Sequence, residues 1–271
     1  MPELPEVETT RRGIAPSLTG HTVARLIVRD RRLRWPVPEG IESALSGERV
    51  LSVDRRAKYL LFRTGAGTAI AHLGMSGSMR IVSAQTAVKK HDHFDLVMQS
   101  GDIVRFNDPR RFGCLLWTAG DPENHSLLQN LGPEPLGPDF TAAYLHKKCR
   151  DRRIAIKAHI MNAAIVVGVG NIYANEALFI AGIHPRRAAG RIALARIERL
   201  VEAIKFVLDR SIQLGGTTLR DFYGGSGQPG YFRQQLQVYG RNGEPCRECE
   251  RPIRLAVIGQ RSTFYCTSCQ R

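Results

Sequence analysis

The chain has 271 residues, enough for two domains that each bury a core. A hydrophobic share of 43% and a charged share of 24% are ordinary for a globular protein, and no run approaches the roughly 20 apolar residues of a membrane span. Lys and Arg outnumber Asp and Glu by 39 to 25, a formal net charge of +14 spread through both halves, and such a broad basic surface suits a polyanion, nucleic acid first.

Residues 3–18 read as a helix: Pro5 suits a helix start, Glu6 and Glu8 complement its positive end, and Val7, Ile14 and Leu18 mark one apolar stripe. From about 22 to 118 the pattern changes to short strand-like runs (TVARLIV, YLLF, TAIAHL, MRIV, FDLVM, DIVRF, CLLW) divided by Gly, Asp, Asn and Ser clusters. Strands at this spacing predict a β-sandwich or barrel. Residues 119–140 are rich in Pro and Gly and read as a linker. Short helices are expected at 141–150 and 154–163, then a tight GVGN turn at 168–171 before a helix near 172–181. A longer helix near 192–213 is marked by Ile197, Leu200, Val201, Ile204, Val207, Leu208 and Ile212, and Gly215-Gly216 ends it. A Gly-rich loop follows, and the last 30 residues form a small cysteine-containing module.

That module holds Cys246-x2-Cys249 and Cys266-x2-Cys269, 16 residues apart, the spacing of a four-cysteine structural zinc site. The segment between reads as two strands joined at Gly259-Gln260, with Arg261 at the tip. Two disulfides are the alternative. MPELPEVETT carries three acidic residues and no apolar core, unlike a signal peptide, so a cytoplasmic chain with reduced thiols is expected. Cys114 and Cys149 stand apart and are expected as buried free thiols.

The start of the chain has its own chemistry. With Met1 in place the Pro2 nitrogen is a tertiary amide; once Met1 is removed it is a free secondary amine able to form an iminium ion. An α-amino pKa near 8 against about 10.4 for lysine leaves such an amine about a hundredfold richer in free base near neutral pH. Glu3 and Glu6 flank it, either as proton donors and acceptors or as first-turn helix charges.

MPELPEVET, DPRRFG at 108–113, GVGNIYANEALF at 168–179, QVYGRNGEPC at 237–246 and the four cysteines together resemble the formamidopyrimidine-DNA glycosylases, over the whole length and in order. Relatives that remove oxidised pyrimidines begin Pro-Glu-Gly-Pro-Glu, so Pro-Glu-Leu-Pro-Glu points to the oxidised-purine branch. The resemblance implies an α+β chain: an N-terminal β-sandwich with flanking helices over 1–130, a helical domain with a helix–two-turn–helix element over 131–225, and a zinc-ribbon finger over 226–271. It also implies roles. Pro2 is the nucleophile, Glu3 the general acid and base, Glu6 the support of the amine and nearby water, and Lys58 the strand lysine that holds phosphate and assists strand cleavage. Arg261 joins the catalytic set and, with His72, Asn171 and Tyr239, grips the DNA backbone. Met75, Arg110 and Phe112 enter the gap left by an extruded base, and Arg110 would donate to an orphaned cytosine. The 217–232 loop would close over the lesion.

The residues alone leave alternatives open. Phe112 reads as a wedge or a core aromatic, His72 and Met75 as packed side chains. His91 and His93 in KKHDHFD read as phosphate contacts or exposed strand-edge residues. In the family the helix before GVGN carries an aspartate; here Asn162 and Ala163 stand there, and Asn162 keeps only a turn hydrogen bond. The expected partner is damaged double-stranded DNA, bound by a monomeric, nucleoid-associated bacterial protein without membrane contact. The alternatives are a glycosylase for oxidised pyrimidines and a zinc-ribbon DNA binder without catalysis.

Overall fold

A computed structural model describes residues 2–216 and 235–271. The Gly-rich loop expected over 217–232 and the boundary expected at 225/226 lie outside the described residues. The chain forms two compact units, residues 2–129 with 214–216, and residues 130–213 with 235–271.

The first unit begins with α1 (Leu4–Leu18), whose apolar face buries Leu4, Val7, Ile14 and Leu18. Eight antiparallel strands follow: β1 (Val23–Val28), β2 (Ser52–Arg56), β3 (Tyr59–Arg63), β4 (Thr68–His72), β5 (Ser78–Val82), β6 (Asp92–Met98), β7 (Ile103–Asn107) and β8 (Cys114–Thr118). They make two four-stranded sheets, β1-β6-β7-β5 and β2-β3-β4-β8. Leu26, Phe94, Leu96 and Val104 from one sheet share a core with Val53, Leu60, Phe62 and Leu115 from the other, and with Val7 and Ile14 of α1. The sandwich is therefore closed by alternating inward side chains, as its short runs predict. Two elements lie outside that reading: α2 (Ile41–Leu45), and β2, whose sequence SVDRR buries only Val53.

The second unit carries α3 (Ala142–Cys149), α4 (Ile156–Ile160), α5 (Asn171–Ile180), α6 (Leu194–Gln213) and the hairpin β9 (Arg254–Ile258) and β10 (Arg261–Tyr265). The hairpin turns at Gly259 and Gln260, both left-handed at φ 56° and 59°. Phe179 of α5 and Val238 share a small core with Cys246, Ile253 and Cys266, so the cysteine module packs on the helices. Asn162, exposed, keeps its turn bond, accepting the Ala164 N–H at 3.0 Å. Among the described residues no helix is long and apolar enough to cross a membrane.

Candidate active site

Pro2 is buried and directly precedes the N-cap of α1. Glu3 is that N-cap and Glu6 its third helical residue; each is 3% exposed, and together they form a reciprocal capping box. The Glu3 N–H donates to Glu6 Oε2 at 2.8 Å. Both carboxylates beside the nucleophile are thus fixed by the helix start itself. Gly216, at φ +83°, lies so near that an added Cβ would meet Glu6 Oε1 at 3.2 Å.

Lys58 sits in the two-residue turn between β2 and β3, not within a strand, because Arg56 pairs with Tyr59 and left-handed Ala57 (φ 55°) closes the turn. One guanidinium links this turn to α1: Arg55 donates to Ala57 O at 2.8 Å and to Glu8 Oε2 at 3.2 Å. Burial pushes the Glu8 carboxyl up, but Arg11, Arg12 and Arg55 outweigh it and hold the carboxyl down at about 2. The first turns of α1 and the turn carrying Lys58 are joined by a charge pair that persists across the neutral range.

The same sheet end carries the next residues. His72 ends β4 opposite Tyr59 on one side and Cys114 on the other. Burial pushes the His72 imidazole down, with help from Lys58 and Arg34, to about 4. Its Nδ1 accepts the Gly74 N–H at 2.8 Å, so the neutral ring carries its proton on Nε2 and can donate from there. Cys114 is buried and its thiol is pushed up to about 12 by burial, which makes it inert. Cys149, likewise buried, is pushed up to about 11.

Met75 lies half-buried in the turn after β4, and Arg110 and Phe112 lie in the turn before β8. Phe112 is 43% exposed, which rules out the core-aromatic reading, and the Arg110 guanidinium stands 4.8 Å from its ring centroid. Asp108, fully buried, organises this turn. Its carboxylate accepts from Ser76 Oγ at 2.9 Å, the Gly113 N–H at 2.8 Å and the Arg110 N–H at 3.2 Å. Gly74 has φ +69°, and a Cβ there would meet Gly113 N at 2.4 Å, so the two loops touch backbone to backbone. His91 is half-buried beside this loop, its carbonyl accepting the Asp108 N–H at 3.0 Å. His93 corrects the expectation of an exposed strand edge. It is 1% exposed, and its Nε2 lies 2.7 Å from Asp108 O, so it braces the turn from inside the core.

In the second unit, Asn171 opens α5 after left-handed Gly168 (φ 77°) and N-cap Gly170, with no side chain capping the helix and no acidic residue in its first turn. That leaves a positive helix end suited to an anion. Asn171 Nδ2 donates to Ser262 O at 3.0 Å, next to exposed Arg261 at the start of β10. Buried Lys157 of α4 grips the same strand, reaching Ser262 O at 2.9 Å and Thr263 Oγ1 at 2.8 Å. Tyr239 is half-buried and packs on Phe264 with ring centroids 5.1 Å apart. Its segment hangs on Glu176, 1% exposed, which accepts the N–H groups of Gln237, Val238 and Tyr239 at 2.7, 3.0 and 2.8 Å. Burial pushes the Glu176 carboxyl up, while the three amides favour its charged form.

The sulfurs of Cys246, Cys249, Cys266 and Cys269 all lie within 4.8 Å of one another, with Cys246 to Cys269 at 3.9 Å and Cys249 to Cys266 at 3.4 Å. A tetrahedral zinc with Zn–S of about 2.3 Å needs sulfurs about 3.8 Å apart, so the four residues fit the ion.

Family models match three successive segments: the formamidopyrimidine-DNA glycosylase N-terminal domain at 1–115, the formamidopyrimidine-DNA glycosylase H2TH domain at 131–223, and the zinc finger found in FPG and IleRS at 243–271. The chain belongs to the formamidopyrimidine-DNA glycosylase family. The formamidopyrimidine-DNA glycosylase of Stutzerimonas stutzeri is 57% identical over 271 residues, and that of Nitrosococcus oceani 58% over 270, with all of each chain covered. Among solved structures, MutM (Fpg) from Thermus thermophilus is 39% identical with a TM-score of 0.88, covering 99% of this chain and 98% of that one. A Lactococcus lactis Fpg mutant in complex with DNA containing Fapy-dG is 31% identical, with a TM-score of 0.92 and both chains fully covered. The four cysteines of this family member hold one structural zinc.

Sequence reasoning missed Asp108, Glu176 and Lys157, and the last two had no individual signal. Asp108 had the best chance of being found, since Asp-Pro opening a Gly-ended turn marks a side chain that accepts from its own backbone.

Proposed function

We infer that the chain excises oxidised purines from duplex DNA through its Pro2 nitrogen and then cuts the strand. Membership of the family makes it a DNA glycosylase. The observation that supports Pro2 as nucleophile is the capping box, which holds two carboxylates at the residue following the amine and the residue three further on.

With Met1 removed, the Pro2 lone pair bonds to C1′ as the C1′–N9 bond breaks, and the purine leaves with that electron pair and takes up the proton that the Pro2 nitrogen sheds. Glu3 delivers a proton to O4′ as the C1′–O4′ bond opens, leaving an iminium ion. Loss of a C2′ proton then expels the 3′ phosphate, and a second elimination expels the 5′ phosphate. Glu6 holds Glu3 and the adjacent backbone in place. Lys58, at a hairpin tip, holds a flanking phosphate and assists elimination. His72 donates from Nε2, and Asn171 and the α5 N-terminus cradle phosphate with Arg261 beside them. Zinc, when bound, fixes the hairpin that presents Arg261. Extruding a base costs a few kcal/mol, offset as Met75, Phe112 and Arg110 fill the gap.

The division into 1–130, 131–225 and 226–271 is one of roles: chemistry, backbone grip and zinc-ordered contact. A monomer suffices, because one extruded base needs one copy of each residue, and a cytoplasmic site of action follows from the substrate and from thiolates that must stay reduced.

Borohydride added to the protein with an 8-oxoguanine duplex should trap a covalent adduct, read by intact mass, on chains that begin at Pro2. Pro2→Gly should keep part of this trapping and retention of Met1 should abolish it. An adduct on chains still carrying Met1, or none on 8-oxoguanine while thymine glycol is trapped, would sink this reading.

A further inference from the structure

Two arginines stand side by side in the turn before β8, and the structure treats them differently. Arg110 is exposed, with its guanidinium over Phe112. Arg111 is held at φ 58°, a left-handed conformation that arginine rarely adopts, and its Nη2 lies 2.7 Å from Asp30 Oδ2. Asp30 is itself fixed: its carboxylate accepts from the Arg32 N–H at 3.0 Å and the Arg32 guanidinium at 2.9 Å. The Asp30 segment also holds the far side of the turn, since the Arg34 N–H donates to Gly113 O at 3.0 Å. Asp30 is thus anchored before it meets Arg111, and it meets only one of the pair.

We propose that Asp30 is a specificity-determining positioning residue that ties Arg111 back, so that Arg110 alone presents a guanidinium to the base left opposite the lesion. The proposal rests on the assignment of Arg110 to the orphaned base. A guanidinium in one fixed direction discriminates because its donors match the acceptors of cytosine and not the edge of adenine. A second, untethered guanidinium one residue away reaches the same space with other geometries and blurs that choice. It also adds an attraction to phosphate that is indifferent to sequence.

The test compares single-turnover excision of 8-oxoguanine opposite cytosine with excision opposite adenine, using the full chain with zinc. Borohydride trapping on a preformed abasic site serves as a separate measure of the Pro2 chemistry. Asp30→Ala should lower the cytosine-over-adenine ratio about tenfold, chiefly by raising excision opposite adenine, and leave trapping at the abasic site unchanged. Asparagine tolerates the left-handed region, so Arg111→Asn keeps the turn and removes the competing charge. Combined with Asp30→Ala it should restore the wild-type ratio. A purely structural role for Asp30 would slow both excisions together, and the second substitution would not rescue. A wild-type ratio in Asp30→Ala, or failure of the double variant to restore it, overturns the proposal. Equal excision opposite both bases by the wild-type protein would overturn the assignment of Arg110 and the proposal with it, while trapping would still report on Pro2.

Discussion

His72 shows how a single residue's environment sets its chemistry. With its imidazole held down near 4 by burial, Lys58 and Arg34, and Nδ1 committed to Gly74, the ring is a neutral donor rather than a cation. The folded pKa lies below the ordinary 6.5, so the neutral ring contributes stability that is complete above pH 6.5 and is lost as the pH falls toward about 4. The full effect is about 3 kcal/mol. NMR of the His72 ring should show one Nε2–H tautomer from pH 8 down to about 5, and urea unfolding should show that His72→Gln loses less stability than wild type between pH 7 and pH 5. A ring titrating near pH 6.5 would contradict this. The identity of His72 was legible from the AHLGMSG motif, but its charge state was not. That is set first by burial and then by cations from the β2–β3 turn and from the segment before α2, surroundings that no local pattern encodes.

At the scale of elements, the loop after β4 and the loop before β8 act through Asp108. Asp108→Ala strands the Gly113 and Arg110 amides and the Ser76 hydroxyl, and should cost about 3 kcal/mol in urea unfolding. Excision from a duplex should fall more than trapping at an abasic site in a single strand, because only the duplex needs its gap filled. Equal losses on both substrates would remove the gap-filling role. Most elements could be read from the sequence: α1, nine of the ten described strands and the four later helices. β2 could not. Its residues Ser52, Asp54, Arg55 and Arg56 are polar because it is an edge strand, stabilised by ion pairs such as Arg63 with Asp54 at 2.7 Å. Lys58, a strand lysine by resemblance, lies in the turn that β2 makes with β3.

For the whole molecule, the zinc module is the joint on which several contacts depend. Cys246 and Cys266 share a core with Phe179 and Val238, and β10 supplies the backbone that Asn171 and Lys157 hold. A chelator under reducing conditions should release one zinc per chain and weaken DNA binding about tenfold or more. Hydrogen exchange should then rise in β9, β10 and the α5 N-terminus, while the β-sandwich keeps its protection. Uniform loss of protection across both units would show that the metal supports the entire chain. The cysteine spacing gave away the metal. The shared core stayed hidden, because it joins residues scattered from position 179 to position 266, and no local pattern encodes such a contact.

The backbone contact between Gly74 and Gly113 carries a consequence for how this protein can diverge. The loop bearing Met75 and the loop bearing Arg110 and Phe112 leave no room for a side chain where they meet. Neither can change length or path by itself. A new backbone on one side has to arrive together with its counterpart, so the two segments change as one unit.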